Sequence, residues 1–305
     1  MATIAWIGLG NMGGPMSGHL VDAGHTVRGV DPVAEARTAA AERGVQLTDS
    51  VAEAVRGADA VITSLPRNEH VRAVYGGGDG IWATAPTSAL LLDTSTVDVA
   101  TSRWCHEQSA ERGFRFVDSP ISGGIAGAHA GSLTFMLGGD AASVAEAGTL
   151  VEPMAGHVFA VGGPTMGIAA KLANNLMLFV SLLGVAEGTQ LAAELGLDPE
   201  TFFKVASVSS GDSWPLRTWY PVPGVVPTSP ANRNFDASFT TQLADKDLRF
   251  ALAAAEHAGL KTPAAHLALD QFEQLIDEGY GEKDCSLVVK FVPGDGQVAG
   301  FDPSA

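Results

Sequence analysis

The 305-residue sequence predicts an α/β protein whose N-terminal part is a doubly wound parallel sheet and whose C-terminal part is all helix. Three observations carry that expectation. From Thr3 to about residue 160, short β-rich runs alternate with helix-like stretches, the pattern of parallel strands joined by helical crossovers. The first of these runs dissolves into glycine, as IAWIGLGNMGGPM. Beyond GGPTMG, residues 162–167, β-branched clusters give way to long Ala/Leu-rich stretches.

The predicted strands are TIAWIG, HTVRGVD, ADAVITSL, SALLLDTS, FRFVDSP and HVFAVG, and the helix that follows the first is NMGGPMSGHLVDAG. The predicted helices of the second half are Ile168 to Leu195, Phe239 to Ala258 and Pro263 to Glu278. The boundary is expected near 163, with a dinucleotide-binding domain over 1–163 and a substrate and oligomerisation domain over 164–305. Residues 168–195 are apolar on nearly every face, so this helix is read as a buried spine joining the two halves. The Pro- and Gly-rich segment from Ser209 to Pro230 reads as a long functional loop, and the tail after Phe291 as loosely held.

Composition narrows the function classes. With 46% hydrophobic and 17% charged residues the chain is an ordered, globular one. A formal charge of −16, from 18 basic against 34 acidic side chains, argues against nucleic acid and anionic lipid as partners. An anionic substrate must be held by a few local cations and backbone amides, which screening over about 8 Å permits. Cys105 and Cys285 have no CxxC partner and read as free thiols of a reducing cytoplasm; the eight histidines form no HxxxH or HExxH pattern, so no metal site is expected. The longest apolar run, Leu176 to Ala186, stops short of a bilayer span, and no membrane partner is expected.

Gly8, Gly10 and Gly13 fit GxGxxG between a predicted strand and a predicted helix, and Asp31 ends the second strand 18 residues after Gly13. Such glycines let the backbone approach a pyrophosphate, which the N–H groups and positive dipole end of the helix then hold. This is the Rossmann-type fingerprint of dinucleotide binding. A carboxylate at Asp31 would accept ribose hydroxyls and repel a 2′-phosphate, so NAD is expected rather than NADP. Asp31 also suits a cap for the next helix, and Arg28 reads as a solvated strand residue.

Two further segments carry candidate chemistry. In SPISGGIAGAHAGSL, Ser122, Gly123 and Gly124 offer a hydroxyl and adjacent unobstructed amides, either a cradle for a carboxylate or a flexible surface loop. In GIAAKLANN, Lys171 and Asn175 are i and i+4 and share a helix face. A lysine in an apolar helix must snorkel, pair or serve. Partial desolvation would lower its pKa and let it exchange a proton with an alcohol, with Asn175 orienting it. Lys246 and Asp247 in LADKDLRFAL are a second pair, alternatively a solvated helix face.

IGLGNMGGPM, DSPISGGIAGAHAGSL, GIAAKLANN and KDL, in that order, resemble the four signature segments of the β-hydroxyacid dehydrogenase family. The stretch from SSGDSWPLRTWYPVPG to FTTQLADKDL resembles the branch that oxidises 3-hydroxyisobutyrate. The resemblance implies a Rossmann domain, a helical second domain and NAD- or NADP-dependent oxidation of a small anionic β-hydroxy acid. Carried onto matching positions, it makes Lys171 the catalytic lysine with Asn175 assisting orientation, and Ser122, Gly123 and Gly124 the binders of the substrate carboxylate. Trp214 and Asp247 then belong with the substrate, and Gly8, Gly10, Asn11, Met12, Gly13, Asp31, Leu65, Pro66, Thr96 and Lys246 with the cofactor. Trp219 stands where this branch often has tyrosine, and His70 where asparagine is common.

The reaction implied is 3-hydroxyisobutyrate to methylmalonate semialdehyde, a step of valine breakdown. Its rivals are dehydrogenation of L-serine or glycerate and reduction of tartronate semialdehyde. Imine reductases share the architecture but usually lack the lysine. A non-catalytic NAD-binding protein would need only the glycine fingerprint. The family pattern and the apolar spine helix imply a homodimer or homotetramer.

Overall fold

The structure, a computed structural model, describes residues 1–304. Its strands are β1 (Thr3–Ile7), β2 (Thr26–Val30), β3 (Gln46–Leu47), β4 (Ala60–Thr63), β5 (Leu90–Asp93), β6 (Arg115–Asp118), β7 (Ile121–Ser122), β8 (Leu133–Gly138) and β9 (Ala155–Gly162). The helices among them are α1 (Gly13–Asp22), α2 (Ala34–Glu42), α3 (Val51–Val55), α4 (Asn68–Gly76), α5 (Ile81–Thr84), α6 (Val99–Glu111), α7 (Gly124–Ala130) and α8 (Ala141–Val151). Then follow α9 (Met166–Glu194), α10 (Pro199–Ala206), α11 (Trp214–Thr218), α12 (Thr241–His257) and α13 (Pro263–Asp277). Two compact units, Met1–Lys171 and Leu172–Ala305, make up the chain, and the division falls inside α9.

In the first unit the strands form one sheet in the order β3-β2-β1-β4-β5-β6-β8-β7, with β9 paired to β8. From β3 to β6 every pairing is parallel. Beyond β6 the expectation of parallel strands needs correction: β8 runs antiparallel to both β6 and β7, and only β9 is again parallel to its partner. The chain reaches β8 through the short β7 and α7, too little chain to carry the strand back to a parallel start. β3, β7 and β8 are absent from the sequence reading. Two-residue strands have no period to detect, and LTFMLG is a mostly apolar run without alternation that fits strand and buried helix alike.

The central strands are buried on both faces. Ile4, Trp6, Ile62, Leu90, Leu92 and Val117 share one core with Met16 and Leu20 of α1 and with Leu133, Phe135 and Leu137 of β8. Adjacent β1 and β4 end in register, Ile7 opposite Thr63, so the loops that follow them leave the same edge of the sheet. That edge, the carboxyl end of a parallel sheet where the strand order reverses, is where such folds take their ligands.

α9 has 29 residues and spans about 43 Å at 1.5 Å per residue. The uninterrupted apolar run stops short of a bilayer, but the helix continues through Lys171, Asn174, Asn175 and Glu187 and is long and apolar enough overall to cross one. A core helix passes the same test, and Phe179, Leu182, Leu183 and Ala186 are buried in the core of the second unit. That unit is helical as expected, and α11 interrupts the irregular segment from Ser209 to Pro230. Trp219 is buried there, its indole N–H donating to Ser238 Oγ at 2.9 Å.

The tail is not loosely held. Val298 is buried, and the Phe301 ring meets Phe235 and Tyr280 edge-on at centroid distances of 6.1 and 5.2 Å. Asn234, in the left-handed region at φ 49°, accepts the Asp302 N–H at 2.7 Å and donates to its carbonyl at 3.1 Å. Glycine and proline content suggested slack, whereas two apolar side chains spaced among them fasten the segment. Phe301→Ala is expected to destabilise the protein by about 1–2 kcal/mol, less than a fully buried phenylalanine because the ring is half-buried, as read by urea denaturation. An unchanged midpoint would contradict the packed tail.

Candidate active site

The site begins at the carboxyl end of β1. Gly8 has φ +95°, and a Cβ there would lie 2.2 Å from the Ser64 carbonyl oxygen. A Cβ on Gly13 would lie 1.9 Å from the Gly8 carbonyl oxygen, which also accepts the Trp6 indole N–H at 2.9 Å. These two glycines close the turn on itself. Gly10 differs: a Cβ there meets nothing within 4 Å, so this glycine borders open space. No side chain caps α1 and no acid lies in its first turn; the Gly14 N–H is taken by the Gly10 carbonyl at 2.9 Å and Pro15 has none, so only the N–H groups at and before Gly13 are offered to an outside acceptor. Asn11 is exposed and Met12 half-buried in the same turn.

Asp31 follows β2 directly. Its carboxylate accepts the Leu9 N–H at 2.7 Å and the Val33 N–H at 2.8 Å, so it holds the glycine turn while remaining half-buried beside it. The residue at the cap position of α2 is Val33, not Asp31. Arg28 donates to the Arg56 carbonyl at 2.7 Å and is anchored rather than simply solvated. An uncapped helix start, an open glycine and an adjacent carboxylate fit the phosphates and ribose of a dinucleotide.

The loops after β4 and β5 stand on a buried acid that the sequence reading missed. Asp93, 3% exposed, accepts from Thr63 Oγ1 at 2.7 Å, Ser95 Oγ at 2.5 Å and the Ser95 N–H at 3.1 Å. Ser95 Oγ in turn accepts the Leu65 N–H at 2.8 Å. Leu65 is therefore tied through Ser95 to one carboxylate. Asn68 and Asp98 tie the same two loops a second time, at 2.6 Å. His70 is exposed on α4. Burial pushes the Asp93 carboxyl up to about 6, against the lowering effect of its hydroxyl donors. An acid at the end of an apolar strand, as in LLLD, is the sequence signal that would have found it.

Ser122 ends β7, and Gly123 and Gly124 take φ of +130° and +65°. A Cβ on Gly123 would press on Leu133 Cδ2 at 3.1 Å, while one on Gly124 meets nothing within 4 Å. The turn is thus a fixed backbone bend with open space at its second glycine. α7, which follows it, is tied to α1 by His19, whose Nε2 lies 3.0 Å from the Ala128 carbonyl oxygen.

Lys171 and Asn175 stand one turn apart on α9. Lys171 keeps 9% of its accessible surface and Asn175 keeps 1%. The Asn175 side chain donates to Asp247 Oδ2 at 2.8 Å and accepts from Asn174 Nδ2 at 3.2 Å. Asp247, 2% exposed on α12, has Lys246 Nζ 3.2 Å from its other oxygen. The pair is therefore a buried network and not a solvated helix face. Trp214, at the start of α11, is exposed and meets Trp219 edge-on at 4.8 Å. Cys105 and Cys285 are both free, buried and pushed up by burial, which suits them to packing rather than reactivity. Among the described residues no group of three or more His, Cys, Asp or Glu is placed to hold a metal ion.

Comparisons with known proteins place this arrangement. Residues 3–163 match the family described as the NAD-binding domain of 6-phosphogluconate dehydrogenase. Residues 165–292 match that described as NAD-binding of NADP-dependent 3-hydroxyisobutyrate dehydrogenase. The chain is 42% identical over 289 residues to a probable 3-hydroxyisobutyrate dehydrogenase of Mycobacterium tuberculosis, covering 95% of this chain and 97% of the relative. It is 40% identical over 298 residues to an NAD-dependent L-serine dehydrogenase of Pseudomonas aeruginosa, covering 97% and 100%. A solved structure of the M. tuberculosis 3-hydroxyisobutyrate dehydrogenase with L-serine superposes with a TM-score of 0.87 at 41% identity, covering 96% of this chain and all of that one.

The Asp93 carboxyl gives a measurable consequence. Its folded pKa of about 6 lies above its unfolded value, so between about pH 4 and 6 the folded state binds more protons and stability falls as pH rises. The stability of wild type relative to Asp93→Asn is expected to drop by roughly 2 kcal/mol from pH 4 to pH 7 in parallel denaturation series, at about 1.36 kcal/mol per unit. A difference that does not vary with pH would contradict the raised pKa.

Proposed function

The chain belongs to the β-hydroxyacid dehydrogenase family, and on that footing we propose that it oxidises 3-hydroxyisobutyrate to methylmalonate semialdehyde, with Lys171 as the proton acceptor. The family membership makes it an NAD-dependent oxidoreductase. NAD, when bound, supplies the hydride acceptor. The turn Gly8–Gly13, with Asn11 and Met12, would hold the pyrophosphate, Asp31 would take the ribose hydroxyls, and Leu65, Pro66 and Thr96 would complete the cofactor's surroundings within the first unit.

The substrate carboxylate rests on the Ser122 hydroxyl and the N–H groups of Gly123 and Gly124, where the turn has open space at its second glycine. Lys171, uncharged in this direction, accepts the hydroxyl proton at Nζ as the carbinol C–H electron pair departs and the C=O bond forms. In reverse its ammonium returns that proton. Asn175 is fixed by Asp247 and Asn174 and keeps its face of α9 polar beside the lysine. The observation that carries this reading is the amine itself, nine-tenths buried in a largely apolar helix whose first residues belong to the same unit as the glycine turns.

A second reading, oxidation of L-serine, is supported by the P. aeruginosa relative and by the ligand in the M. tuberculosis structure. One methyl group against one amine changes few contacts, and methyl discrimination in an apolar pocket is worth only about 1–3 kcal/mol. NADH formation measured across 3-hydroxyisobutyrate, L-serine and glycerate is expected to give the highest kcat/KM with the first. A preference for L-serine of tenfold or more, on the order of 1.4 kcal/mol, would replace the first reading by the second. Lys171→Ala is expected to lower kcat by roughly 10²- to 10⁴-fold with the affinity for NADH nearly unchanged. A variant within a few fold of wild type would remove Lys171 from the proton transfer.

A further inference from the structure

One buried carboxylate connects two parts of this site. Asp118 is the last residue of β6 and is 2% exposed. Its main chain continues through Ser119 and Pro120 into Ile121, Ser122 and the two glycines. Its side chain serves the entry to α9 instead. Oδ2 accepts the Ile168 N–H at 2.7 Å, and Oδ1 accepts the Thr165 N–H at 3.1 Å. His106 Nε2 lies 2.7 Å from Oδ1, and its ring packs edge-on against Phe116 at 4.7 Å. The leading N–H groups of a helix lack intrahelical acceptors, and an ionised carboxylate is the strongest side-chain acceptor for them.

The fit leaves no slack. A Cβ on Gly138 would lie 2.6 Å from Asp118 Oδ1 and 2.5 Å from the Gly167 nitrogen. A Cβ on Gly167 would lie 2.8 Å from Oδ2 and 2.5 Å from the Asp118 carbonyl oxygen. Thr165 takes φ +70°, a left-handed conformation that is strained for a β-branched residue and persists only where its surroundings impose it. Two glycines and one strained threonine thus bring the first turn of α9 onto this carboxylate, and Lys171 follows Ile168 by three residues.

We infer that Asp118, with His106 against it, is a positioning residue for the reaction: it fixes the start of α9 relative to the Ser122–Gly124 turn and thereby sets where the Lys171 amine stands. This rests on the reading of Lys171 as proton acceptor. All the residues involved lie in the first unit. A capping role for stability alone would use the same hydrogen bonds, so the test must read chemistry.

The experiment is a double-mutant cycle on the full chain with 3-hydroxyisobutyrate and NAD, using Asp118→Asn, Lys171→Ala and their combination. Asp118→Asn is expected to lower kcat at least about tenfold, since small misplacements of a catalytic group cost up to about 10²-fold, with KM for NAD within about threefold. In the Lys171→Ala background the same substitution is expected to cost less than about threefold, because the group it positions is gone. Two penalties that multiply in full, or an Asp118→Asn enzyme with wild-type kcat, would overturn the inference while leaving Lys171's own role intact. A Lys171→Ala enzyme of nearly wild-type rate would overturn the reading beneath it. If Asp118→Asn does not fold, His106→Ala carries the same cycle, with a kcat loss of several fold that vanishes without Lys171 expected and an undiminished loss contradicting it.

Discussion

The Asp118 carboxylate is the interaction on which the geometry of the site depends, because it satisfies the helix start that precedes Lys171 while its own main chain leads to the Ser122–Gly124 turn. Burying a carboxylate is costly unless every lone pair finds a donor. Here two backbone N–H groups donate to it, and His106 Nε2 stands 2.7 Å from Oδ1 and 3.3 Å from the Thr165 nitrogen. Asp93 solves the same problem one strand away, in register with Asp118 across β5 and β6. Both acids sit at carboxyl ends of buried strands and fix the loops that follow. The working edge of the sheet is thus set by interior hydrogen bonds rather than by the loops themselves, which suits a site that must be preorganised.

The dinucleotide end is built by the opposite device, the removal of side chains. Gly8 and Gly13 bring backbone segments to distances that no Cβ would allow, and Gly10 leaves space beside the uncapped start of α1. Asp31 belongs to both strategies. It accepts the Leu9 N–H, which steadies the turn, and it stands as the only acid directly after β2, where a ribose is held in folds of this type.

Much of this was legible in the sequence, for identifiable reasons. The central strands are apolar runs bounded by turn residues, and TIAWIG, ADAVITSL and SALLLDTS each contain an observed strand. The glycine fingerprint is a local requirement of backbone geometry, and the signature segments named the family. Asp93 and Asp118 were not singled out because their roles depend in part on donors far away in sequence, Thr63 at 30 positions and Thr165 at 47. The antiparallel β8 was hidden by its mostly apolar, non-alternating run, and the packed tail by glycine and proline between Val298 and its neighbours. The Lys246–Asp247–Asn175 network was visible only as residue types, since its connection spans 72 positions.

The central claim is that a buried amine on α9 meets an alcohol whose acid end is held by a glycine turn of the same unit. A crystal structure of the ternary complex with NADH and the hydroxy acid tests it most directly. The account expects Lys171 Nζ within about 3 Å of the hydroxyl oxygen and the carboxylate on Ser122 and the N–H groups of Gly123 and Gly124. An amine turned away from the hydroxyl, or a carboxylate bound elsewhere, would contradict it.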